Sequence, residues 1–120
     1  MKSVSLDRAF TQRDFDAFAK LSGDDNPIHV DPDFSARTRF GKTVAHGAML
    51  CSVLRGLCEQ LAPGWRQARQ DVMFPAPTYA GETVTFTAEI IEDDEDRKKI
   101  ALKASKTGEI VVDGSAEMVK

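Results

Sequence analysis

The 120-residue chain lacks the features of a disulfide-stapled, nucleic-acid-binding or membrane-spanning protein. It has only two cysteines, one Trp and one Tyr, and a net charge of −3 from 16 Lys and Arg against 19 Asp and Glu. Nucleic-acid-binding domains normally carry a basic excess. No apolar run approaches the roughly 18 residues that a membrane-spanning helix requires. We therefore expect one soluble, cytoplasmic domain over residues 1–120, without nucleic-acid or membrane partners.

The two cysteines predict neither a disulfide nor a metal site. Cys51 and Cys58 are seven positions apart in a predicted helix, which separates them by about 10 Å at ~1.5 Å per residue. That distance exceeds the Cα separation that a disulfide bridges. No Cys/His ligand set accompanies them, so we interpret both as small apolar packing residues and expect no metal ion or cofactor.

The first half of the chain predicts mostly helical structure. Thr11 followed by Asp14 has the pattern of a capping box, and it begins an amphipathic helix that we expect to end near Leu21. Asn, Asp and Pro dominate 24–32, which we predict to be neither regular helix nor strand. The other expected elements here are a strand over 3–9 and a helical turn over 33–38 with Asp33 as its cap.

Segment 48–61 predicts a long buried helix. Apolar residues recur there at helical spacing, namely Leu50, Val53, Leu54, Leu57 and Leu61. The opposite side carries mostly small or apolar residues, which is typical of a helix that is covered on all sides. In so short a chain, the rest of the polypeptide must then wrap around this helix.

Alternating segments fill the second half of the chain and predict strands. Within 83–91, apolar side chains lie on one side of the strand, and the charged run 92–99 is interpreted as a solvated hairpin connection. Short turns between sequential strands favour an antiparallel sheet. We therefore predict an α+β fold in which a curved antiparallel sheet wraps a long central helix. The predicted strands are 68–74, 83–91, 100–106 and 109–118.

The segment 21–31, with the sequence LSGDDNPIHVD, is the first candidate for a functional site. Asp24 and His29 flank Pro27, whose ring fixes φ and stiffens the turn. A stiff loop can direct a carboxylate and an imidazole toward the same point. Such a pair is suited to general acid/base catalysis with a water molecule. The alternative is an Asx turn with an ordinary loop histidine. A calcium loop is disfavoured because the spacing departs from the EF-hand pattern.

His46 and Gly47 precede the long helix and form the second candidate feature. The free N–H groups and positive dipole end of a helix amino terminus can stabilise a developing oxyanion. Because Gly47 has no side chain, a substrate carbonyl can approach its N–H closely. The alternative is that this glycine only permits close packing between the loop and the helix.

Together, these segments resemble the MaoC-like, (R)-specific enoyl-CoA hydratase family. The run FAKLSGDDNPIHVD over 18–31 is similar to the hydratase motif of that family. Phe40 with AHGAM over 45–49, then FPAP over 74–77 and AGETV over 80–84, resemble its later blocks. The resemblance implies a hot-dog fold. It also implies a homodimer or higher homo-oligomer with the active site near the subunit interface.

The resemblance implies a role for each matching residue. Asp24 and His29 would form a catalytic dyad that holds one water molecule. The water oxygen would add to C3 of a trans-2-enoyl thioester of coenzyme A or acyl carrier protein, while C2 gains a proton. The product would be an (R)-3-hydroxyacyl thioester, and the reverse reaction is dehydration. Gly47 would polarise the thioester carbonyl, Asn26 would shape the loop or orient the water, and His46 would support the site.

Five further residues are candidate substrate contacts. Hydratases of this kind often carry a small hydroxyl residue about two turns into the long helix, where this chain has Arg55, with Ser52 one turn earlier. Arg55 would contact an acidic substrate group or, as we prefer, pair with an acid at the surface. Arg37, Arg39 and Lys42 lie between the two motif blocks, and they would contact coenzyme A phosphates or belong to a solvated loop.

Two other functions fit the same sequence. A hot-dog thioesterase also binds acyl-CoA at a helix amino terminus, but it generally places an acid on or near the long helix. Glu59 lies too far along the predicted helix to serve as that acid. A non-catalytic acyl-thioester-binding subunit would keep the fold without needing both Asp24 and His29. The presence of both side chains therefore favours a hydratase.

Overall fold

An antiparallel five-stranded sheet dominates the computed structural model, which describes residues 2–120. The strand order across the sheet is β1-β3-β4-β5-β2, so that β1 and β2 are the two edges. No helix in the described part of the chain has the length and apolar character to cross a membrane. In chain order, the elements are β1 (Ser3–Ala9), α1 (Gln12–Ser22), α2 (Pro27–Val30), α3 (Pro32–Ala36), α4 (Gly47–Leu61), β2 (Arg66–Met73), β3 (Thr83–Asp93), β4 (Arg97–Lys106) and β5 (Glu109–Val119).

The hydrophobic core lies between α4 and one face of the sheet. From the helix, Leu54 and Cys58 are fully buried. From β3, the side chains predicted to share one face are all buried, namely Val84, Phe86, Ala88 and Ile90. The alternation therefore predicted the buried face of this strand correctly, because successive side chains of a strand point to opposite sides. The predicted α+β architecture with an antiparallel sheet is confirmed.

One side of α4 remains uncovered in the single chain, so the prediction of a helix covered on all sides is wrong. Ala48, Ser52 and Gly56 recur four positions apart and are exposed. A single sheet layer can cover only the helix face that packs against it, and no other element covers the opposite face within residues 2–120. The small side chains therefore keep the apolar area that this face exposes to water low. They do not show that the face is buried.

The capping box of α1 is present as predicted. The N–H of Asp14 donates to the Thr11 hydroxyl at 3.2 Å, and the N–H of Thr11 donates to the Asp14 carboxylate at 2.8 Å. These reciprocal bonds satisfy backbone donors that the helix itself leaves free. The helix ends at Ser22, where Gly23 adopts a left-handed conformation with φ of 81° that suits glycine.

Segment 24–32 is not wholly irregular, because it contains the short helix α2. Pro27 occupies its first turn, where a fixed φ suits the helix and the missing N–H is not needed. The side chain of Asn26 caps the helix by accepting the N–H of Ile28 at 3.1 Å. The same Asn-Pro pair that indicated a loop therefore starts a helical turn.

Other boundaries shift by a few residues. Asp31, and not Asp33, caps α3, because its carboxylate accepts the N–H of Asp33 at 3.0 Å. The run 92–99 is largely strand and not a long connection. Lys98 pairs with Asp93 at 2.6 Å across the hairpin, and such opposite charges stabilise paired strands.

Candidate active site

Two hydrogen bonds fix the backbone of α2 from opposite sides. The N–H of Val44 donates to the carbonyl of Ile28 at 3.0 Å, and the side-chain amide of Gln12 donates to the carbonyl of His29 at 2.9 Å. Gln12 belongs to α1, whereas Val44 lies just before α4. The helix that carries His29 is therefore held between two other parts of the fold.

The structure brings Asp24 and His29 together, as predicted. The Nε2 atom of His29 lies 3.8 Å from a carboxylate oxygen of Asp24, while its Nδ1 atom lies 2.8 Å from the carbonyl oxygen of Val44. A carbonyl only accepts hydrogen bonds, so Nδ1 carries the proton and Nε2 of the neutral ring is an acceptor. The His29 side chain is 14% exposed and that of Asp24 is 56% exposed.

Asn26 occupies the position of a loop-shaping residue. Its side-chain oxygen is engaged by the N–H of Ile28, and its own N–H lies 3.4 Å from a carboxylate oxygen of Asp24. These contacts set the turn between Asp24 and α2. Of the two roles expected for Asn26, loop shaping is the one that its hydrogen bonds fit.

His46 contacts both members of the pair. Its ring stacks on the ring of His29, with 3.8 Å between the centroids and 22° between the planes. Its Nε2 atom lies 2.8 Å from the backbone carbonyl of Asp24. The residue is 1% exposed, and its Nδ1 atom has no hydrogen-bond partner. The sequence placed His46 beside the long helix but gave no sign of the stack.

Within residues 2–120, one group of side chains could jointly ligate a metal ion, namely Asp24, His29 and His46. Their candidate ligand atoms lie within 4.8 Å of one another. Two of the four imidazole nitrogens face backbone carbonyls. Since those two nitrogens already donate hydrogen bonds, each imidazole ring has only one nitrogen left to ligate a metal ion. We assign no metal to this group.

Gly47 is the first residue of α4 and lines a cavity of about 610 Å³. A Cβ atom at this position would lie 2.7 Å from Cζ of Phe74, a separation that real contacts do not show. Glycine therefore permits the Phe74 ring to approach the helix, which is the packing role considered above. The N–H of Gly47 remains at the helix amino terminus, so the oxyanion role stays a prediction. Asp24 and His29 do not line this cavity.

The three cations expected to contact phosphates differ in how close they lie to this cavity. Arg39 lines it, and Nζ of Lys42 lies 5.1 Å from the ring centroid of Tyr79, another lining residue. Lys42 and Arg37 are themselves outside the lining, and the backbone N–H of Arg37 caps α3. The phosphate contacts expected of the three cations remain a prediction, and the positions of Arg39 and Lys42 suit it best.

Lys106 is a cavity residue that the sequence analysis missed. Its side chain is only 9% exposed, and its ammonium donates to the carbonyl of Pro77 at 2.8 Å and to the carboxylate of Glu82 at 2.9 Å. The same carboxylate accepts the N–H of Tyr79 at 2.7 Å. A lysine at the end of an alternating strand gives no sequence signal for such contacts, because they join residues that are far apart in the chain.

Ser52 and Arg55 lie away from this cavity. The Ser52 hydroxyl donates to the carbonyl of Met49 at 2.6 Å. Arg55 pairs with Glu59 at 3.6 Å, one turn further along α4. The surface pairing preferred for Arg55 is thus present in the structure, whereas substrate contact by either residue remains untested.

The fold and the site together define a class of protein. A sheet packs on one long helix, and an acid faces an imidazole beside the amino terminus of that helix. This arrangement suits acid/base chemistry on a polarised carbonyl compound. The particular family follows from comparison with known proteins: the family model described as "MaoC like domain" matches residues 2–112, and the chain belongs to this family.

Named relatives agree with that assignment. The chain is 34% identical over 120 residues to the (R)-specific enoyl-CoA hydratase of Aeromonas caviae, covering 96% of this chain and 90% of the relative. It is 32% identical over 115 residues to the 3-hydroxybutyryl-CoA dehydratase of Methylorubrum extorquens, covering 92% and 73%. The solved (R)-hydratase of A. caviae superimposes with a TM-score of 0.90 at 30% identity, over 98% of this chain and 93% of that one. The predicted hot-dog fold is confirmed.

Proposed function

We propose that the protein adds water to a trans-2-enoyl thioester to give an (R)-3-hydroxyacyl thioester, and catalyses the reverse dehydration. The supporting observation is the Asp24 carboxylate facing Nε2 of His29 at 3.8 Å. Similarity to the hydratase of A. caviae and the dehydratase of M. extorquens supports the same reaction.

The two facing groups suit the binding of one water molecule. An ionised Asp24 oxygen and the unprotonated Nε2 of His29 are both acceptors, so a water between them would donate one hydrogen to each. Its oxygen would then present a lone pair to C3 of the substrate. As the O–C3 bond forms, the dyad takes one water proton and the C2=C3 electrons shift toward the carbonyl oxygen. C2 then takes a proton from the dyad, which returns to its starting state.

The amino terminus of α4 would stabilise the enolate oxygen formed in that step. Gly47 is the first residue of the helix, and its N–H belongs to the group of donors that a helix cannot satisfy internally. Donors fixed before the reaction stabilise developing charge without reorganisation. The proposed role requires the thioester carbonyl to lie in the cavity that Gly47 lines.

Coenzyme A phosphates would bind at the basic side of that cavity, through Arg39 and Lys42. Replacing each by Gln should raise KM for an enoyl-CoA and leave KM unchanged for the matching enoyl-pantetheine thioester, which lacks the nucleotide phosphates. Arg37→Gln is the matched control because Arg37 does not line the cavity and, unlike Lys42, is not placed over the ring of a lining residue. An equal change in KM for both substrates would contradict phosphate contact.

A second copy of the chain would complete the site. In the single chain, the side chain of Asp24 is 56% exposed, and nearby Leu21 is 83% exposed. Together with the uncovered face of α4, which carries Ala48, Ser52 and Gly56, this exposed leucine suits an interface between two copies of the chain. Light scattering should therefore give the mass of a dimer or a higher homo-oligomer, and specific activity should fall on dilution below its dissociation constant.

The activity is tested with crotonyl-CoA and a series of longer enoyl-CoA substrates. Hydration removes the enoyl absorbance without releasing free thiol, and the product should be the (R) enantiomer. Release of free thiol would instead indicate a thioesterase. Binding of enoyl-CoA with neither reaction, for every chain length, would indicate a binding subunit.

A further inference from the structure

We propose that His46 is a positioning residue for the dyad, holding Asp24 through a ring nitrogen and His29 through its ring face. The family resemblance gives His46 only an unspecified supporting role and names neither its contacts nor the groups that it holds. The inference rests on the proposed function for its kinetic consequence, but its structural part can be measured separately.

The hydrogen bond from His46 anchors the loop that carries Asp24. Its Nε2–H donates to the Asp24 carbonyl across 22 positions of sequence. The other hydrogen bonds that Asp24 makes with the described residues are local, to the Ser22 hydroxyl at 3.1 Å and the N–H of Asn26 at 3.4 Å. His46 therefore ties this exposed loop to the start of α4, and a loop without that tie can carry the carboxylate away from His29.

The stacked rings fix the plane of the His29 imidazole. The bond to the Val44 carbonyl fixes where Nδ1 points, but by itself it allows the ring to tilt about that bond. The face of His46, 3.8 Å away, removes this freedom on one side. Phe18 packs against the His46 ring with 4.9 Å between ring centroids, and it contributes no polar atom.

The hydrogen-bond partners of His46 suit positioning and not proton transfer. Because Nε2 donates to a carbonyl, the neutral ring carries its proton there. A second proton would sit on Nδ1, which is buried without a partner.

Two substitutions separate the contacts. His46→Phe keeps a ring face and removes the donor, whereas His46→Gln keeps an amide donor and removes the ring. Each should lower kcat by about tenfold or more while KM changes by less than about twofold, since misplaced catalytic groups slow the chemical step. Phe18→Leu is the matched control, because it loosens packing around the His46 ring and leaves His46 and both dyad residues unchanged. Its kcat should stay within about twofold of the wild type.

Nuclear magnetic resonance gives a readout that does not depend on activity. Imidazole ¹³C relaxation should show greater mobility of the His29 ring in His46→Gln than in the wild type. Backbone ¹⁵N relaxation should show greater mobility of 24–26 in His46→Phe than in Phe18→Leu. Melting temperatures of all variants identify any loss of kcat that only follows loss of stability.

The outcomes are distinct. If the wild type hydrates enoyl thioesters and both His46 variants keep its kcat, the positioning role is wrong. The positioning role is also wrong if the loss of kcat in the His46 variants follows the loss of melting temperature and is no larger than the loss in Phe18→Leu. If the wild type hydrates no enoyl thioester, the proposed function fails. Unchanged mobility of the His29 ring and of the 24–26 loop would then overturn the positioning role by itself, and increased mobility would support it.

Discussion

The Nδ1 atom of His29 lies 2.8 Å from the backbone carbonyl of Val44, fifteen positions further along the chain. This bond places the proton of the neutral imidazole on the side opposite Asp24, so Nε2 is the nitrogen available for exchange. The direction of this backbone carbonyl does not depend on which side chain residue 44 carries. The tautomer of His29 is therefore set by the path of the chain between α3 and α4.

Asp24→Asn and His29→Ala should each lower kcat by about 10²- to 10⁴-fold, the usual contribution of a general acid or base. Asp24→Asn should leave the stability nearly unchanged, because Asn matches the shape of Asp and the Asp24 side chain is 56% exposed. His29→Ala should lower the stability without unfolding the protein, because it removes one hydrogen bond and one ring contact. The measurement is loss of enoyl absorbance, with circular dichroism to check the fold. Asp25→Asn neutralises the adjacent exposed carboxylate and should remain active. Near-wild-type turnover in either dyad variant would exclude that residue from catalysis.

Gly47→Ala should destabilise the protein by no more than about 1 kcal/mol, because Phe74 is 48% exposed and its ring can turn toward water. The added Cβ would lie 2.7 Å from Cζ of Phe74, so the ring must move. Phe74→Leu should remove the conflict, and the double variant should be more stable than the sum of the single changes predicts. Urea denaturation of the four proteins measures this coupling. Strict additivity would show that the two residues do not constrain each other.

Lys106→Met should lower the free energy of unfolding by about 1–3 kcal/mol, because the carbonyl of Pro77 loses a charged donor and Glu82 loses its counterion. We expect a value toward the lower end, since the Glu82 side chain is 34% exposed to water. Lys103→Met, at an exposed position of the same strand, should change stability by less than about 0.5 kcal/mol. Equal effects of the two substitutions in chemical denaturation would refute an anchoring role for Lys106.

Burial raises the pKa of the Cys58 thiol, although nearby Arg55 partly opposes the shift. Below the ordinary cysteine pKa of about 8.5, both the folded and the unfolded chain keep the proton. Above it, the Cys58 thiol ionises in the unfolded chain before it ionises in the folded protein. The contribution of Cys58 to stability therefore falls as the pH rises through the raised pKa of the folded state.

Cys58→Ala should therefore flatten the dependence of unfolding free energy on pH in the alkaline range. In the native wild type, a thiol-specific reagent should modify half-buried Cys51 faster than buried Cys58. Urea titrations at neutral and alkaline pH and peptide mapping of the labelled protein give the two measurements. Rapid native labelling of Cys58 would contradict its burial.

Local patterns in the sequence determined much of the fold and the dyad. The Thr11 capping box, the apolar spacing of α4 and the alternation of β3 each depend on neighbours a few residues apart, which is why they can be read directly. The pairing of Asp24 with His29 is also local, because five positions separate them. Helix α2 was missed although its signals are local: Asn-Pro starts a helical turn as readily as it interrupts a longer element.

Only the tertiary structure decided which helix face stays open, where Lys106 is anchored and what holds the dyad in place. The ring of His46 reaches Asp24 from 22 positions away, and Lys106 reaches Glu82 from 24 positions away. Such contacts depend on how helices and strands pack after they form. Propensity and periodicity describe each segment by itself, whereas the path of the whole chain brings these distant side chains into contact.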